Sequence, residues 1–511
     1  MAKSQLKIGA IMSYINMAVG TLIPMFYTPI MLDMLGQSDY GLFRLAGTVT
    51  SYLSLLSFGI GSAVVRYLIM YREKYDSDGE AKMFGLFNII FGVISVVVLI
   101  VGLILGFNIN LFYGDSLQLE ELNQLKLMVI LLAINTAVGV TSTVYTSCVI
   151  CHERFLFLQL INILTTVATP IINLVALFMG FKSVGLVIST LLLTILTRII
   201  YTIYVRCSIK IKPKYKDMPT NLIKELIVFS FWVFISNIVN QLYAATDTMI
   251  IGAVPALATI GVAIYNVGST FNSMMLSFAT GVSNVITPRI NTMVFSGSNT
   301  TELTDILIKV GRLQTYIVTI ISSGFIAFGK QFINLWAGPE YMEAYYVALF
   351  TMIPSCIPLM QAVALNIVIA QNKHKFRAIV YLCIAVVNVL GTILVIGNYG
   401  IVGAAVVSGI AFIIGQGFIM NWYYWKKIKL DIPKFWLSVL KIILLGVVLC
   451  AITLLIIKNI VIDSWGIMLV CIIVYTLIFC VLQWCFAMND YEKSLFVSPL
   501  KKIYRKIKKT A

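Results

Sequence analysis

Ionisable groups inside long apolar helices cost about 2.5–3.5 kcal/mol each at mid-span, so the few in this sequence are the first place to look for chemistry. Asp247 is the one acid deep within an apolar segment. Ser236, Asn240, Tyr243 and Asp247 recur at i, i+4, i+7 and i+11, which puts them on one helix face, and Asn237 and Gln241 widen that face. Such a stripe either lines a wet cavity, together with Asn16, Gly20, Ile23 and Tyr27 of the first segment, or joins helices by hydrogen bonds. A carboxylate there can exchange a proton or cation, or neutralise an arginine, for which Arg44 is the candidate. The other embedded cations are Arg66, Arg198, Arg289, Lys309 and Arg312. Several lie near helix ends, from which a long side chain can snorkel to water. For Lys309 that reading is favoured; for Arg198, which is deeper, cavity and anchor readings balance.

Three motifs imitate other chemistry. Cys148-Val-Ile-Cys-His152 has the spacing of a haem attachment site, but it falls at the end of the fourth apolar segment with no second haem ligand. Gly324-Phe-Ile-Ala-Phe-Gly329-Lys330-Gln331 nearly spells a phosphate-binding loop, yet it lacks the Ser/Thr that would hold Mg²⁺ and lies in apolar sequence. Asn299-Thr300-Thr301 is a glycosylation sequon in a joint expected on the cytoplasmic side. The two histidines, His152 and His374, both lie in cytoplasmic joints, so no His-centred metal site, no cofactor and no catalytic triad is expected.

The elements that hold these residues follow from composition. Of 511 residues, 60% are apolar or aromatic and 11% are charged, with a mean hydropathy of +0.95. A water-soluble domain runs near 25% charged, so soluble enzymes, disordered chains and disulfide scaffolds are excluded. Fourteen apolar segments are expected: 8–32, 41–68, 83–107, 123–147, 158–180, 184–205, 225–252, 261–288, 306–328, 345–370, 378–397, 401–424, 436–457 and 466–487. Pro24, Pro29, Pro354 and Pro358 should kink the first and tenth. The nine cysteines are scattered through apolar runs and read as small buried hydrophobes. No removable signal peptide precedes the first segment. Net charge is +16, and nearly all loop Lys and Arg fall at the even-numbered joints and the termini; the odd-numbered joints carry Lys182, Lys330 and Lys458. That asymmetry puts both termini in the cytoplasm, accounts for the basic balance without nucleic acid, and places the tail Lys501–Lys509 against anionic lipid. The outer loops, about 108–122 and 329–344, are too short for a catalytic domain.

The chain is also duplicated. Gly41 matches Gly261, and Ser57, Phe58 and Gly61 match Ser277, Phe278 and Gly281, all at one offset of 220 in the numbering. Asn110–Gly114 matches Asn334–Gly338, His152–Phe155 falls against Lys373–Phe376, and Val184-Gly185 matches Val402-Gly403 at nearly the same offset. Six spans separate the copies, so they are parallel repeats about an axis along the membrane normal. The expected organisation is all-α and polytopic: a six-helix lobe over 1–207, a basic cytoplasmic linker over 208–224, a second six-helix lobe over 225–425, two appended helices over 426–488, and a basic tail over 489–511.

With Asp39-Tyr-Gly-Leu-Phe43, Ser57-Phe-Gly-Ile-Gly61 and Asp247-Thr-Met-Ile-Ile-Gly252 in this order, the chain resembles the multidrug/oligosaccharidyl-lipid/polysaccharide exporter superfamily. Fourteen spans make it most similar to the polysaccharide transporters, the Wzx-type flippases. The resemblance implies no enzyme. It implies alternating access that carries undecaprenyl-diphosphate-linked oligosaccharides from the cytoplasmic to the outer leaflet, alongside the pathway's glycan polymerase and glycosyltransferases. Arg44, Arg66, Arg198, Asn240, Tyr243, Asp247 and Arg289 are the cavity candidates. Arg66 plus 220 is 286, one helical turn before Arg289, so each repeat offers a guanidinium at nearly one place. The pair either receives the diphosphate or anchors topology. The alternatives are a cation-coupled multidrug exporter, in which Asp33 is the only carboxylate near the first span, and a membrane glycan polymerase.

Overall fold

A computed structural model describes residues 2–57, 61–219, 222–371, 373, 375–458, 460, 462–495 and 497, without the side chains of 62, 63, 75, 76 and parts of 2–14, 224–244 and 280–288. Phe58, His374 and the tail from 498 onward lie outside the described residues. The described chain is almost wholly helical and contains no strand. In hydrocarbon only a helix satisfies its own backbone groups, so apolar runs of this length have one regular option. Among the described residues nine helices are long and apolar enough to cross a membrane. Ala344–Met360 and Ala362–Ala370, α10 and α11 below, make a tenth across a 54° bend.

By Cα packing the chain forms two compact units. The first comprises Met1–Val267 and Tyr381–Val407. It contains α1 (Ala2–Ser51), α2 (Gly61–Phe107), α3 (Asn110–Tyr113), α4 (Leu119–Cys151), α5 (Phe155–Phe178), α6 (Lys182–Tyr204), α7 (Ile223–Gly252), the start of α8 (Ala258–Phe295) and the middle of α12 (Lys375–Phe412). α1 carries the first expected segment and the opening residues 41–51 of the second, broken at Gly36 (φ 71°). Its marked break thus falls between the first two expected segments rather than at Pro24 or Pro29. At Gly41 a Cβ would stand 1.9 Å from the Thr259 carbonyl oxygen, so glycine is what lets α1 touch the start of α8. α4 opens on a reciprocal cap in which Glu121 accepts from the Gln118 amide at 3.2 Å. The core runs along α2 and α4: Met83, Phe84, Phe87 and Phe91 pack with Ala133, Val140, Val144 and Cys148. Across it Phe84 meets Tyr145 edge-on at 5.3 Å. The basic linker crosses α2, where the Lys214 amide donates to the Ala81 carbonyl at 3.0 Å.

The second unit comprises Gly268–Val380 and Ser408–Ala511. It contains the rest of α8, α9 (Thr300–Trp336), α10 (Ala344–Met360), α11 (Ala362–Ala370), α13 (Met420–Lys426), α14 (Ile432–Ile457) and α15 (Trp465–Leu482). The bend between α10 and α11 follows Pro354 and Pro358, as those prolines require. Asp431 caps α14 by accepting from the Lys434 amide at 3.0 Å. Its core joins Phe328 of α9 to Leu449 and Cys450 of α14 and to Met468, Tyr475 and Phe479 of α15. Gly324 and Gly329 lie inside α9, so the near phosphate-loop motif is straight helix.

Gly180 (φ 82°) and Gly400 (φ 59°) turn the chain at corresponding positions of the two repeats. All nine cysteines are free; Cys207, Cys383, Cys480 and Cys485 are exposed, which corrects the expectation that the set is buried.

Candidate functional site

Asp247, near the end of α7, is 4% exposed. Its Oδ2 accepts from the Tyr265 hydroxyl of α8 at 2.5 Å. Its Oδ1 accepts from the Asn388 amide at 3.1 Å and from the Thr392 hydroxyl at 3.4 Å. Asn388 and Thr392 are one turn apart on α12 and fully buried. An ionised carboxylate is acceptor-only, and these three donors satisfy a charge that hydrocarbon would penalise heavily. The oxygens of Asp247, Thr392 and Tyr265 are hard donors that a small cation or a proton could use.

The polar belt continues on both sides. The Tyr52 and Thr246 hydroxyls are bonded at 2.8 Å, and Gln241 donates to Ser51. Ser116 donates to the Gly252 carbonyl at 2.9 Å. Arg44 donates from Nε to Asn266 Oδ1 at 3.0 Å, while Asn266 Nδ2 donates to Thr248 at 3.4 Å. Arg44 and Asp247 are therefore linked through Asn266 and Tyr265, adjacent residues of α8. Tyr265, Asn388 and Thr392 escaped the sequence reading. The available signal was Asn388 and Thr392 at i, i+4 in an otherwise apolar segment.

The remaining candidates separate. Asn240 and Tyr243 lie in α7, but their side chains, like that of Ser236, are outside the described residues. Arg198 is occupied: its Nη1 donates to the Thr141 carbonyl at 2.6 Å and its Cζ sits 3.9 Å from the Tyr145 ring centre. Beside it opens a cleft of about 490 Å³ among α4, α5 and α6, lined by Thr146, Thr165, Thr169, Thr190, Thr194 and Thr197 among others. Arg66 is exposed on α2, 5.9 Å from the Tyr67 ring centre. Arg289 is exposed on α8.

Arg312 belongs to a different arrangement, inside the second unit. Its guanidinium grips Glu492 with Nε–Oε1 at 2.5 Å and Nη2–Oε2 at 2.9 Å. It also donates to the carbonyls of Ser438 and Ala487, and the Tyr316 hydroxyl adds a bond to Glu492 at 3.0 Å. With 11% and 1% side-chain exposure this is a buried ion pair, not a snorkelling cation. Burial raises the proton affinity of Glu492, but the Arg312 fork and the Asn489 amide outweigh it and hold the carboxyl below its ordinary pKa. His152 also departs from expectation: Glu80 of α2 brings a carboxylate to it and to Cys148, so this histidine has potential co-ligands.

Fold and site together define a multi-pass all-helical membrane protein of the exporter superfamily anticipated above. A family model described as polysaccharide biosynthesis protein matches residues 8–294. The chain belongs to that family. Its fold is similar to a solved structure of the lipid II flippase MurJ in an inward closed conformation, with a TM-score of 0.71, 16% identity, and coverage of 96% of this chain and 99% of that one. It is also similar to an inward-facing multidrug resistance MATE family transporter (TM-score 0.63, 14% identity, 85% of this chain and 99% of that one). A third likeness is the MATE multidrug transporter DinF-BH (TM-score 0.59, 15% identity, 83% and 96%). No curated protein matches the sequence.

Proposed function

We propose that the protein is a flippase that moves an undecaprenyl-diphosphate-linked oligosaccharide from the cytoplasmic to the outer leaflet for cell-surface polysaccharide synthesis. The observation that carries this reading is membership of the polysaccharide biosynthesis family in a chain with a multi-pass transporter fold. The likeness to a lipid II flippase supports a lipid-linked cargo. The physics agrees: a diphosphate and its sugars cannot cross hydrocarbon unaided, whereas the lipid tail can stay in the bilayer. The two parallel repeats act as lobes that rock in alternating access. Asp247, on its cluster of oxygen donors, couples that motion to a proton or cation gradient. Arg66 and Arg289 receive the diphosphate at the cytoplasmic mouth. Both termini are cytoplasmic, in the inner membrane of a bacterium. No covalent step is required.

Deleting the gene and analysing the strain's lipids tests this. Lipid-linked repeat units should accumulate on the cytoplasmic leaflet; unchanged glycan export, with no second transporter present, overturns it. The second reading is a cation-coupled exporter of amphiphilic drugs, favoured by the MATE fold likeness and the buried Asp247. It requires drug sensitivity in the deletion strain with normal lipid-linked intermediates.

A further inference from the structure

The final turn of α4 carries Cys148, Cys151 and, as its C-terminal cap, His152. Helical spacing at i, i+3 and i+4 puts all three on one side of that turn. The fourth group arrives from α2. Glu80 is 2% exposed, and its Oε1 lies 3.5 Å from His152 Nε2 and 3.7 Å from Cys151 Sγ. Cys148 Sγ lies 3.9 Å from His152 Nδ1. Ligand atoms of Glu80, Cys148 and His152 all fall within 4.8 Å of one another. The sequence signal was the Cys-x-x-Cys-His run; what it lacked was Glu80, distant in the chain and brought to Cys148 by the α2–α4 packing.

We propose that Glu80, Cys148, Cys151 and His152 bind a structural zinc ion that ties α2 to the end of α4. Three observations support it. First, the ligand atoms of Glu80, Cys148 and His152 are grouped as ligands sharing an ion would be, with Cys151 Sγ at the Glu80 edge of the group. Zinc bonds of about 2.0–2.3 Å set tetrahedral edges of about 3.3–3.8 Å. The Glu80–His152 separation of 3.5 Å is long for an N–H···O hydrogen bond but fits such an edge. Second, the histidine is oriented. Its Nδ1 stands 2.9 Å from the Cys148 carbonyl and can donate a proton there, which leaves the Nε2 lone pair aimed at the Glu80 carboxylate. In the neutral ring a lone pair facing a carboxylate is repulsive until a cation, a proton or a metal ion, stands between them, and a backbone carbonyl on the other nitrogen is the usual support for a ligating histidine. Third, the charges balance. Glu80, Cys148 and Cys151 are buried, and a divalent ion offsets what a buried carboxylate and two thiolates would otherwise cost. Arg72, which donates to the Cys151 carbonyl at 3.3 Å, adds a positive charge at the edge.

Two sulfurs, an imidazole nitrogen and a carboxylate oxygen suit zinc better than magnesium or calcium, whose ligands are oxygens. Four protein ligands leave no open position, which marks a structural rather than a hydrolytic site. The loop charges put this turn on the cytoplasmic side, where thiols stay reduced and free to ligate.

The test uses the full-length chain, purified in detergent with a tag that binds no metal. Elemental analysis after dialysis against Zn²⁺ and then buffer should find about one zinc per chain. Replacement by Co²⁺ should give tetrahedral d–d bands with thiolate-to-cobalt charge transfer. Cys148→Ser with Cys151→Ser should abolish the charge-transfer bands and weaken zinc binding at least about 100-fold. Glu80→Gln should weaken it while keeping those bands, and Cys450→Ser should change neither. Wild-type protein that takes up less than a tenth of an equivalent of zinc, and shows no charge-transfer band with cobalt, overturns the proposal even if the cysteine variants fail to fold. So does undiminished zinc affinity in the double cysteine variant.

Discussion

Among the described residues, two of the three buried carboxylates, Asp247 and Glu492, are satisfied in different ways. Asp247 takes hydrogen bonds from a phenol, an amide and a hydroxyl. Glu492 takes a two-bond guanidinium fork, a phenol and a backbone amide. Hydroxyls and amides can turn from donor to acceptor when a proton or cation arrives. A guanidinium cannot, because it stays charged and has no acceptor. The Asp247 arrangement therefore suits a group that changes state during a cycle. The Arg312–Glu492 arrangement suits a permanent lock that fastens the segment after α15 to α9 and α14. Burial is common to both carboxylates; the three exchangeable partners belong to Asp247, the guanidinium fork to Glu492.

The largest expected effect is Asp247→Asn. The amide keeps the shape but loses the charge, so export should fall at least about 100-fold, or lose its dependence on the ion gradient, with expression unchanged. Quantifying surface glycan and membrane-inserted protein in one strain checks this. Full complementation would reduce the cluster to packing.

Breaking the lock should instead cost stability. Arg312→Met alone leaves Glu492 buried without its fork and should destabilise by about 3–5 kcal/mol, whereas Arg312→Met with Glu492→Met should recover most of that. Thermal unfolding in detergent across the double-mutant cycle reads the coupling. Equal loss in the single and double variants would deny that charge pairing holds the segment.

A smaller effect concerns acid. The folded pKa of Glu492 is depressed below its unfolded value, near 4.3 in model peptides. Its stabilisation is thus complete above that unfolded pKa and is lost as pH falls through the lower folded pKa. Wild-type melting temperature should drop more steeply than that of Glu492→Gln below about pH 4. Parallel melting curves would contradict the assignment.

The smallest effect separates readings of Arg66 and Arg289. Lysine keeps the charge an anchor needs but not the bidentate fork, so Arg66→Lys with Arg289→Lys should insert normally and slow export several-fold. Wild-type glycan display would leave both arginines as anchors.

The helices were legible because long apolar runs in a bilayer have one regular structure. The break at Gly36 falls between the first two expected segments, and α4 ends at Cys151, just past the fourth. Asp247 stood out because its charge is anomalous there. Its partners did not. Tyr265 is a common residue in apolar sequence, and pairing α7 with α12 depends on tertiary packing that no local spacing encodes. Glu80 was hidden likewise, since an acid near a basic joint reads as surface charge until α2 packs on α4. Arg312 stood out only as an embedded cation, because snorkelling and buried pairing look alike until Glu492, far along the chain, folds back onto it.

The most direct measurement is flipping by the purified protein in sealed proteoliposomes. Polyprenyl-diphosphate-linked oligosaccharide is placed in both leaflets, and an impermeant enzyme or lectin reports what becomes accessible outside. Wild-type protein should expose the inner pool in a gradient-dependent manner, and Asp247→Asn should not. Exposure no faster than in protein-free vesicles, with efflux of amphiphilic cations from the same preparation, would contradict the flippase account.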